Sequence, residues 1–283
     1  MRHTPASKED PAVIPKSPRK IRKGWYLIGG TAIYCFTAYG VYLYYSYHRA
    51  VDQSRQLSLP DDVSNRYDWT ATSYDADIEF SEKLMGMKKL RKKLVAKSKG
   101  HVLEVSCGTG RNVEFYAPGI ESGEIKSLTF VDRSGPMMEV AQEKFKGRFP
   151  GFVRVGYRVQ AAEELKTAPE FEGFDTVVET MGLCSVVDPV GFLKHLGSLV
   201  KEDGQILLLE HGRSFYESVS RILDDLAKQH ANRHGCWWNR DIDAIVEASG
   251  LEVVKVRRKH LGTTYWLELR RKKDDGGGTP VES

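Results

Sequence analysis

Residues 103–112 read LEVSCGTGRN, and residues 130–134 read FVDRS. The first string carries an apolar strand (HVLEV) into a glycine turn and on into a helix (GRNVEFY). The second ends another apolar strand, SLTFV, which closes on Asp132. Glycines after one strand and a carboxylate after the next are the parts of a nucleotide site at the edge of a doubly wound sheet. Gly108 and Gly110 let the backbone pass close to a ligand where a Cβ would collide. The Asp132 carboxylate can accept hydrogen bonds from both hydroxyls of a ribose. A dinucleotide site asks for a third glycine, G-x-G-x-x-G, with a helix N-terminus facing a pyrophosphate. Here that position is Val113.

The spacing Glu104-x-Ser106-x-Gly108-x-Gly110 resembles motif I, E/D-x-G-x-G-x-G, of the class I S-adenosylmethionine (SAM) methyltransferases, with Ser106 in place of the first glycine. The resemblance implies S-adenosyl-L-methionine as cofactor. Its methionine part would lie against the turn, with Glu104, Ser106, Cys107, Gly108 and Gly110 as candidate contacts. Asp132 would take the ribose, and Arg133 and Met137 just after it join the contacts. The family's third loop reads G-D-A-x-x-L, and its acid holds the adenine amino group. QAAEEL (160–165) puts Ala161 in that place. The adenine contact then falls to backbone amides, Gln160 or Glu163, with Ala161 and Ala162 in the loop. The segment GFDTVVETMGLCSVVDP (173–189) contributes Glu179 and Met181. Upstream, SNRYDWTATSYDADI (64–78) resembles the tyrosine-bearing lead-in that closes over SAM, with Tyr67 and Tyr74 as its candidates and Tyr74 counted as a cofactor contact.

Methyl transfer from a sulfonium is an in-line displacement, for which the protein supplies alignment and, where needed, a base. Groups for the acceptor belong at the C-terminal ends of strands four and five. The loop after strand four, ETMGLCS, is not the D/N-P-P-Y that gathers a planar amide or base nitrogen, which argues against DNA adenine or glutamine methylation. The loop after strand five carries Glu210-His211. His211 titrates near neutrality and is the candidate catalytic base; a structural histidine bonded to backbone is the alternative. Cys184 reads as a small packing residue. HANRHGCWWNRDI (230–242) either roofs a pocket for an aromatic or lipophilic acceptor or anchors the last helix with its tryptophans.

These residues need a scaffold. The chain from 100 to 214 alternates strand and helix, which predicts a parallel sheet covered on both faces. Continuous apolar runs such as TVV and ILLL suit strands buried on both sides. Asp188-Pro189 reads as an N-cap with Pro at the first helical position. Asp203-Gly204 reads as a turn before the fifth strand, QILLLEHGRS. LEVVKVRRK and TTYWLELRRK supply an antiparallel edge hairpin after the helix DIDAIVEASG. The expected fold is α/β: a Rossmann-like, seven-stranded doubly wound sheet behind one N-terminal transmembrane helix.

The domain divisions follow from composition. Residues 1–23 are rich in Lys, Arg and Pro and read as a basic disordered arm. Residues 24–47, GWYLIGGTAIYCFTAYGVYLYYSY, hold no charge and are long enough to cross a hydrocarbon core of ~30 Å. Trp25 and Tyr26 at one end, with Tyr42, Tyr44, Tyr45 and Tyr47 at the other, form aromatic belts. The apolar stretch starts too late and runs too long for a cleavable signal. Residues 48–64 read as a linker, 65–270 as the methyltransferase domain and 271–283 as a disordered tail. The basic arm outweighs the charge after the span, so the N-terminus stays on the cytoplasmic or matrix side and the domain lies across.

The formal net charge of +4 is modest. MKKLRKKLVAKSK (87–99) follows Leu84, and Leu84, Met87, Leu90 and Leu94 mark an amphipathic helix with a basic outer face. It reads as a solvated helix on the sheet, or one near anionic head groups. RNA binding is a minor reading, because no aromatics interleave with the charges. The four cysteines, Cys35, Cys107, Cys184 and Cys236, show no metal spacing and no disulfide framework, and no metal is expected.

Residues 65–270 resemble methyltransferases of the ubiquinone/menaquinone-biosynthesis type. The whole chain resembles the fungal mitochondrial inner-membrane methyltransferase family (Oms type) through its span and the strings LEVSCGTGRN, TMGLCSVVDP, LLLEHGRS and HGCWWNRDI. LCSV and EH also resemble mammalian membrane-bound proteins that methylate small thiols. The resemblance implies a SAM enzyme of the mitochondrial inner membrane, single-pass, with its domain in the intermembrane space. The Pro-rich arm with Glu9-Asp10 suits an import presequence poorly, and a signal anchor of the endoplasmic reticulum membrane is the alternative. The expected acceptor is a small lipophilic molecule at the membrane surface: a phenol or quinone, a thiol or a lipid. The rival readings are an RNA or protein methyltransferase, and a non-catalytic assembly or RNA-stabilising factor with the same fold.

Overall fold

The computed structural model describes residues 23–272. The basic arm up to residue 22 and the tail from residue 273 lie outside the described residues. The chain divides into two compact units, residues 1–49 and 50–283.

In the first unit the described residues belong to one helix, which begins at Lys23 and continues to Gln56 in the second. It is the one helix among the described residues long and apolar enough to cross a membrane. Trp25, Tyr26, Phe36 and Tyr44 on it are exposed. The expected linker 48–64 is therefore helical over its first residues. HRAVDQSRQ contains neither Gly nor Pro to break the helix, which ends at Gln56, and Val51 and Ser54 are buried.

The second unit is built on seven strands: β1 Gly100–Val105, β2 Ile125–Asp132, β3 Val155–Val159, β4 Phe174–Thr180, β5 Val200–His211, β6 Glu252–Lys259 and β7 Thr264–Arg270. Their order is β3-β2-β1-β4-β5-β7-β6. The first five run parallel, and β7 pairs antiparallel with both β5 and β6, as the alternating pattern and terminal hairpin predict. The chain winds outward from β1 to β3 and then returns beside β1 as β4. That reversal opens a crevice at the C-terminal ends of β1 and β4.

Successive residues of the central strands point to opposite faces. Val102, Val178, Leu207 and Leu209 enter a core with Leu94, Tyr116, Phe130 and Phe145. Leu103, Val177, Ile206 and Leu208 enter the other, with Phe192, Leu196, Ile242 and Val246. Helices 87–95 and 135–148 thus cover one face, and helices 189–199 and 242–249 the other.

Three details differ from the sequence pattern. The helix after the glycine turn is a 3-10 turn at Val113–Tyr116 followed by a short helix, Ala117–Glu121. Asn112 and Tyr116 turn inward to Glu104, and Pro118 restarts the helix. Asp203-Gly204 lies in a register shift within β5 rather than in a turn before it. Gly86, with φ 64°, ends one helix at Leu84 and opens the next at Met87. Leu84 is therefore exposed and outside the amphipathic face, while Arg91 lies in that face and is buried.

Candidate functional site

At the crevice lies a cleft whose empty space, counted with its solvent-open mouth, is about 990 Å³. The turn after β1 forms its floor. Gly108 and Gly110 take φ of 53° and 73°, the left-handed region that glycine enters without strain. Ser106, standing where the motif has glycine, also takes a positive φ of 50°. A non-glycine residue there costs about 1–2 kcal/mol. Met181, at the end of β4, is a second such residue, with φ 62°. Both line the cleft, so the local strain sits where a ligand would be held.

Asp132 ends β2 and closes the turn from the other side. Its Oδ2 accepts from the Gly108 N–H at 2.7 Å and its Oδ1 from the Ser134 N–H at 2.9 Å. Burial raises its pKa, and these two N–H bonds oppose the rise. Ser134 also caps helix 135–148, accepting from the Met137 N–H.

Most sequence candidates converge here. Tyr74, Ser106, Cys107, Gly108, Asp132 and Arg133 line the cleft, as do Met137, Ala161, Ala162 and Met181. Glu163 lines it as well. Glu104, Gly110, Glu179 and His211 are not among the lining residues. Gly110 shapes the turn from below. Glu104 is buried beneath it, accepting from Tyr116 Oη at 2.6 Å and Asn112 Nδ2 at 3.0 Å. Glu179 is fully buried and accepts from the Gly182 N–H at 2.6 Å. Burial and the neighbouring Glu210 push the Glu179 carboxyl well above the usual range. His211 sits behind the Cys184 loop with Nε2 3.0 Å from Cys236 Sγ.

Sequence reasoning missed Arg91. It lines the cleft at 5% exposure. Its Nη1 donates to Asn112 Oδ1 and Thr180 Oγ1, and its Nη2 to Glu82 Oε1. Its Nε is buried without a hydrogen-bond partner. The signal was present: position 91 lies four residues after Met87 and three before Leu94, on the apolar face.

The lead-in is clamped over the cleft by charge. Asp75 accepts from Thr109 Oγ1 at 2.6 Å, and also pairs with Arg111 and Lys144. Arg111 pairs in addition with Glu79 and Glu82. This brings Tyr74 over the turn, its ring 6.0 Å from that of Tyr67. Tyr67 Oη lies 3.0 Å from Ser185 Oγ on the loop after β4. The two tryptophans expected as a roof point elsewhere: Trp238 stacks on His230 and donates to the Leu223 carbonyl, and Trp237 donates to the Asp61 carbonyl.

Burial pushes the Glu104 pKa from 4.5 to about 7, against the opposing bonds from Tyr116 and Asn112. Between those values the folded chain keeps a proton that the unfolded chain releases. This contribution is fully present below pH 4.5 and is lost as pH rises through 7. Its size is about 3 kcal/mol. Urea melts of the full chain from pH 5 to 8 should show the decline. Glu104→Gln should flatten that part of it, and an unchanged slope in the variant would assign the pH dependence to other groups.

The cofactor implied by the glycine turn fits this donor set. A sulfonium nucleoside would bring ribose hydroxyls, an adenine plane and a carboxylate to a cleft lined by an acid, Asp132, by apolar Met137, Ala161 and Ala162, and by a cation, Arg91.

Known proteins agree with the fold. The chain is 41% identical over 233 residues to the mitochondrial methyltransferase OMS1 of Saccharomyces cerevisiae, covering 78% of this chain and 49% of that one. It thus spans about half the length of that relative. It is 31% identical over 110 residues to the thiol S-methyltransferase TMT1B of Rattus norvegicus, covering 39% of this chain and 42% of the other. The fold matches the N-methyltransferase NodS of Bradyrhizobium japonicum with a TM-score of 0.52 at 14% identity, covering 75% of this chain and all of that one. A family model described as a methyltransferase domain matches residues 80–256, more than half of the sequence. By that match, laid over a cleft built from the motif residues themselves, the chain belongs to the methyltransferase-domain family.

Proposed function

We propose that the chain is a membrane-anchored, S-adenosylmethionine-dependent methyltransferase acting on a small lipophilic acceptor. The observation that carries this reading is the cleft itself. A glycine turn with open space above Gly108, the Asp132 carboxylate and the buried Arg91 side chain line one volume. When bound, S-adenosylmethionine supplies a methyl group on a positively charged sulfur, open to in-line attack.

The chain's own residues then do three things. Asp132 accepts the ribose hydroxyls and holds the nucleoside in register. Arg91 takes the carboxylate, held in its pose by Asn112, Thr180 and Glu82. The lead-in, clamped through Arg111, brings Tyr67 and Tyr74 over the reacting end and excludes water. These two rings line the cleft together with Met181, Val186, Val187 and Phe192, which would form the wall that meets the acceptor. Such a wall selects a flat or lipophilic acceptor by apolar contact. A thiol and a quinone-type phenol are the first candidates; the rat relative is named a thiol S-methyltransferase, and a bacterial relative a ubiquinone/menaquinone biosynthesis C-methyltransferase.

The exposed apolar helix from Gly24 supports a single membrane span. The yeast relative's mitochondrial location supports the mitochondrion, and the basic arm supports an inner-membrane span with the domain in the intermembrane space.

The test is transfer from methyl-labelled SAM by the full chain in lipid nanodiscs, offered small thiols, quinols, phospholipids, RNA and mixed protein. Label is expected in a small membrane-partitioning acceptor. Label in RNA or protein alone, or a folded chain that binds no SAM, would overturn the reading.

A further inference from the structure

Behind the acceptor wall, three segments far apart in sequence bring together two thiols and an imidazole. Cys184 comes from the loop after β4, His211 from the end of β5, and Cys236 from the loop after helix 227–234. Their ligand atoms, two Sγ and one ring nitrogen, all lie within 4.8 Å of one another. His211 Nε2 is 3.0 Å from Cys236 Sγ, and His230 Nε2 approaches the same sulfur at 3.4 Å. Cys184 and Cys236 are 1% and 4% exposed.

We propose that Cys184, His211 and Cys236 form a binding site for a tetrahedral Zn²⁺-class ion, with His230 as the fourth donor. Two thiolates with one or two imidazoles are the donor set that selects Zn²⁺ over harder cations. Around such an ion, bonds of about 2.0–2.3 Å put neighbouring donor atoms roughly 3.3–3.8 Å apart. The donor atoms of Cys184, His211 and Cys236 already lie within 4.8 Å of one another and approach that size, and His230 joins them through its contact with the Cys236 sulfur. Two thiolates neutralise the dication, which lets the site stay buried without a further counter-charge. The proton on each thiol leaves to solvent as the metal–sulfur bond forms.

The surroundings hold the ligands in place. The Cys184 carbonyl accepts from the Trp237 N–H at 3.0 Å and from Arg240 Nε at 3.2 Å. The His230 ring is stacked on Trp238, 4.0 Å between centroids and 13° from parallel. Such contacts fix the orientation of metal ligands in known sites. Sequence spacing did not reveal this set, because its ligands come from three separate segments and none forms a C-x-x-C or H-x-x-H pair.

The ion would act as a clamp. Ser185, next to Cys184, lines the cleft and meets Tyr67. Tying Cys184 to β5 and to the Cys236 loop therefore sets the wall against which the acceptor lies. A His211 that ligates has no free lone pair at Nε2, so the proton-acceptor role expected of it passes to another group.

The experiment uses the full chain, purified in detergent under reducing conditions without chelator. Metal content is measured by mass spectrometry, and Co²⁺ is then titrated as a spectroscopic probe. About one Zn²⁺ per chain is expected, or one Co²⁺ with tetrahedral ligand-field bands and thiolate charge-transfer absorption. Cys184→Ser and Cys236→Ser should each lose that absorption, while Cys35→Ser, in the helix from Lys23, should keep it. Chelation of the wild type should lower its melting temperature, a readout that needs no variant to fold. A folded, reduced wild type that takes up neither metal would overturn the proposal. So would Co²⁺ uptake without thiolate absorption, or a Cys184–Cys236 disulfide in the protein as isolated.

Discussion

Asp132→Ala is expected to weaken SAM binding roughly 100- to 1,000-fold, since hydrogen bonds to a charged acceptor contribute about 1.5–3 kcal/mol each. The carboxylate has two tasks. It ties the glycine turn to β2 by accepting the Gly108 and Ser134 N–H groups. It also keeps acceptor capacity on the cleft side, because an ionised carboxylate offers about four lone-pair positions. Alanine removes both at once. Asparagine separates them, as it keeps the shape and one carbonyl oxygen but turns an NH₂ toward a backbone N–H. Asp132→Asn should therefore bind nearly as poorly as the alanine variant, with a smaller loss of thermal stability. Calorimetric titration of SAM into the full chain, beside a melt of each variant, decides it. A folded Asp132→Ala chain that binds as tightly as wild type would remove Asp132 from the cofactor site.

What the sequence made visible was the part governed by short-range rules. Strand–helix alternation gave the sheet, and its two-faced apolar strands gave both cores. The glycines sit at left-handed positions where backbone conformation favours that residue type, so the turn could be read from spacing, and Asp132 marked the end of the next strand. The parts that stayed hidden depend on where different segments meet. Arg91 looked like one of many basic residues on a helix, although its spacing from Met87 and Leu94 puts it on the buried face. Glu104 looked like a ligand contact. Instead it lies under the turn, where Asn112 and Tyr116 occupy both of its oxygens. Cys184, His211 and Cys236 have no common periodicity. They meet because β4 and β5 are neighbours in the sheet and the Trp237 N–H bonds to the Cys184 carbonyl.

The two glycines of the turn should fail in different ways when a methyl is added. At Gly110 a Cβ would lie 3.0 Å from Val113 Cγ2 and 3.1 Å from the Cα and Cβ of Ala141. Ala141 belongs to helix 135–148, whose buried Met138 and Phe145 fix it in the core. The helix backbone cannot yield as a flexible side chain would. The left-handed φ adds its own cost, so Gly110→Ala should destabilise the fold by about 2–5 kcal/mol in all. At Gly108 a Cβ meets nothing within 4 Å, because that side of the residue opens on the cleft. Gly108→Ala should then lose only about 1–2 kcal/mol of stability, from the backbone term alone. The methyl instead occupies the space through which the cofactor must approach the turn. SAM affinity should fall roughly 100-fold or more, since even a misfit of a few kcal/mol has that effect. Urea denaturation and SAM titration on the same two variants give the full pattern. Gly110→Ala is expected to shift the melt most and Gly108→Ala the binding most. A Gly108→Ala chain with wild-type affinity would mean that the cofactor does not pass over this turn, and the assignment of the cleft would fall with it.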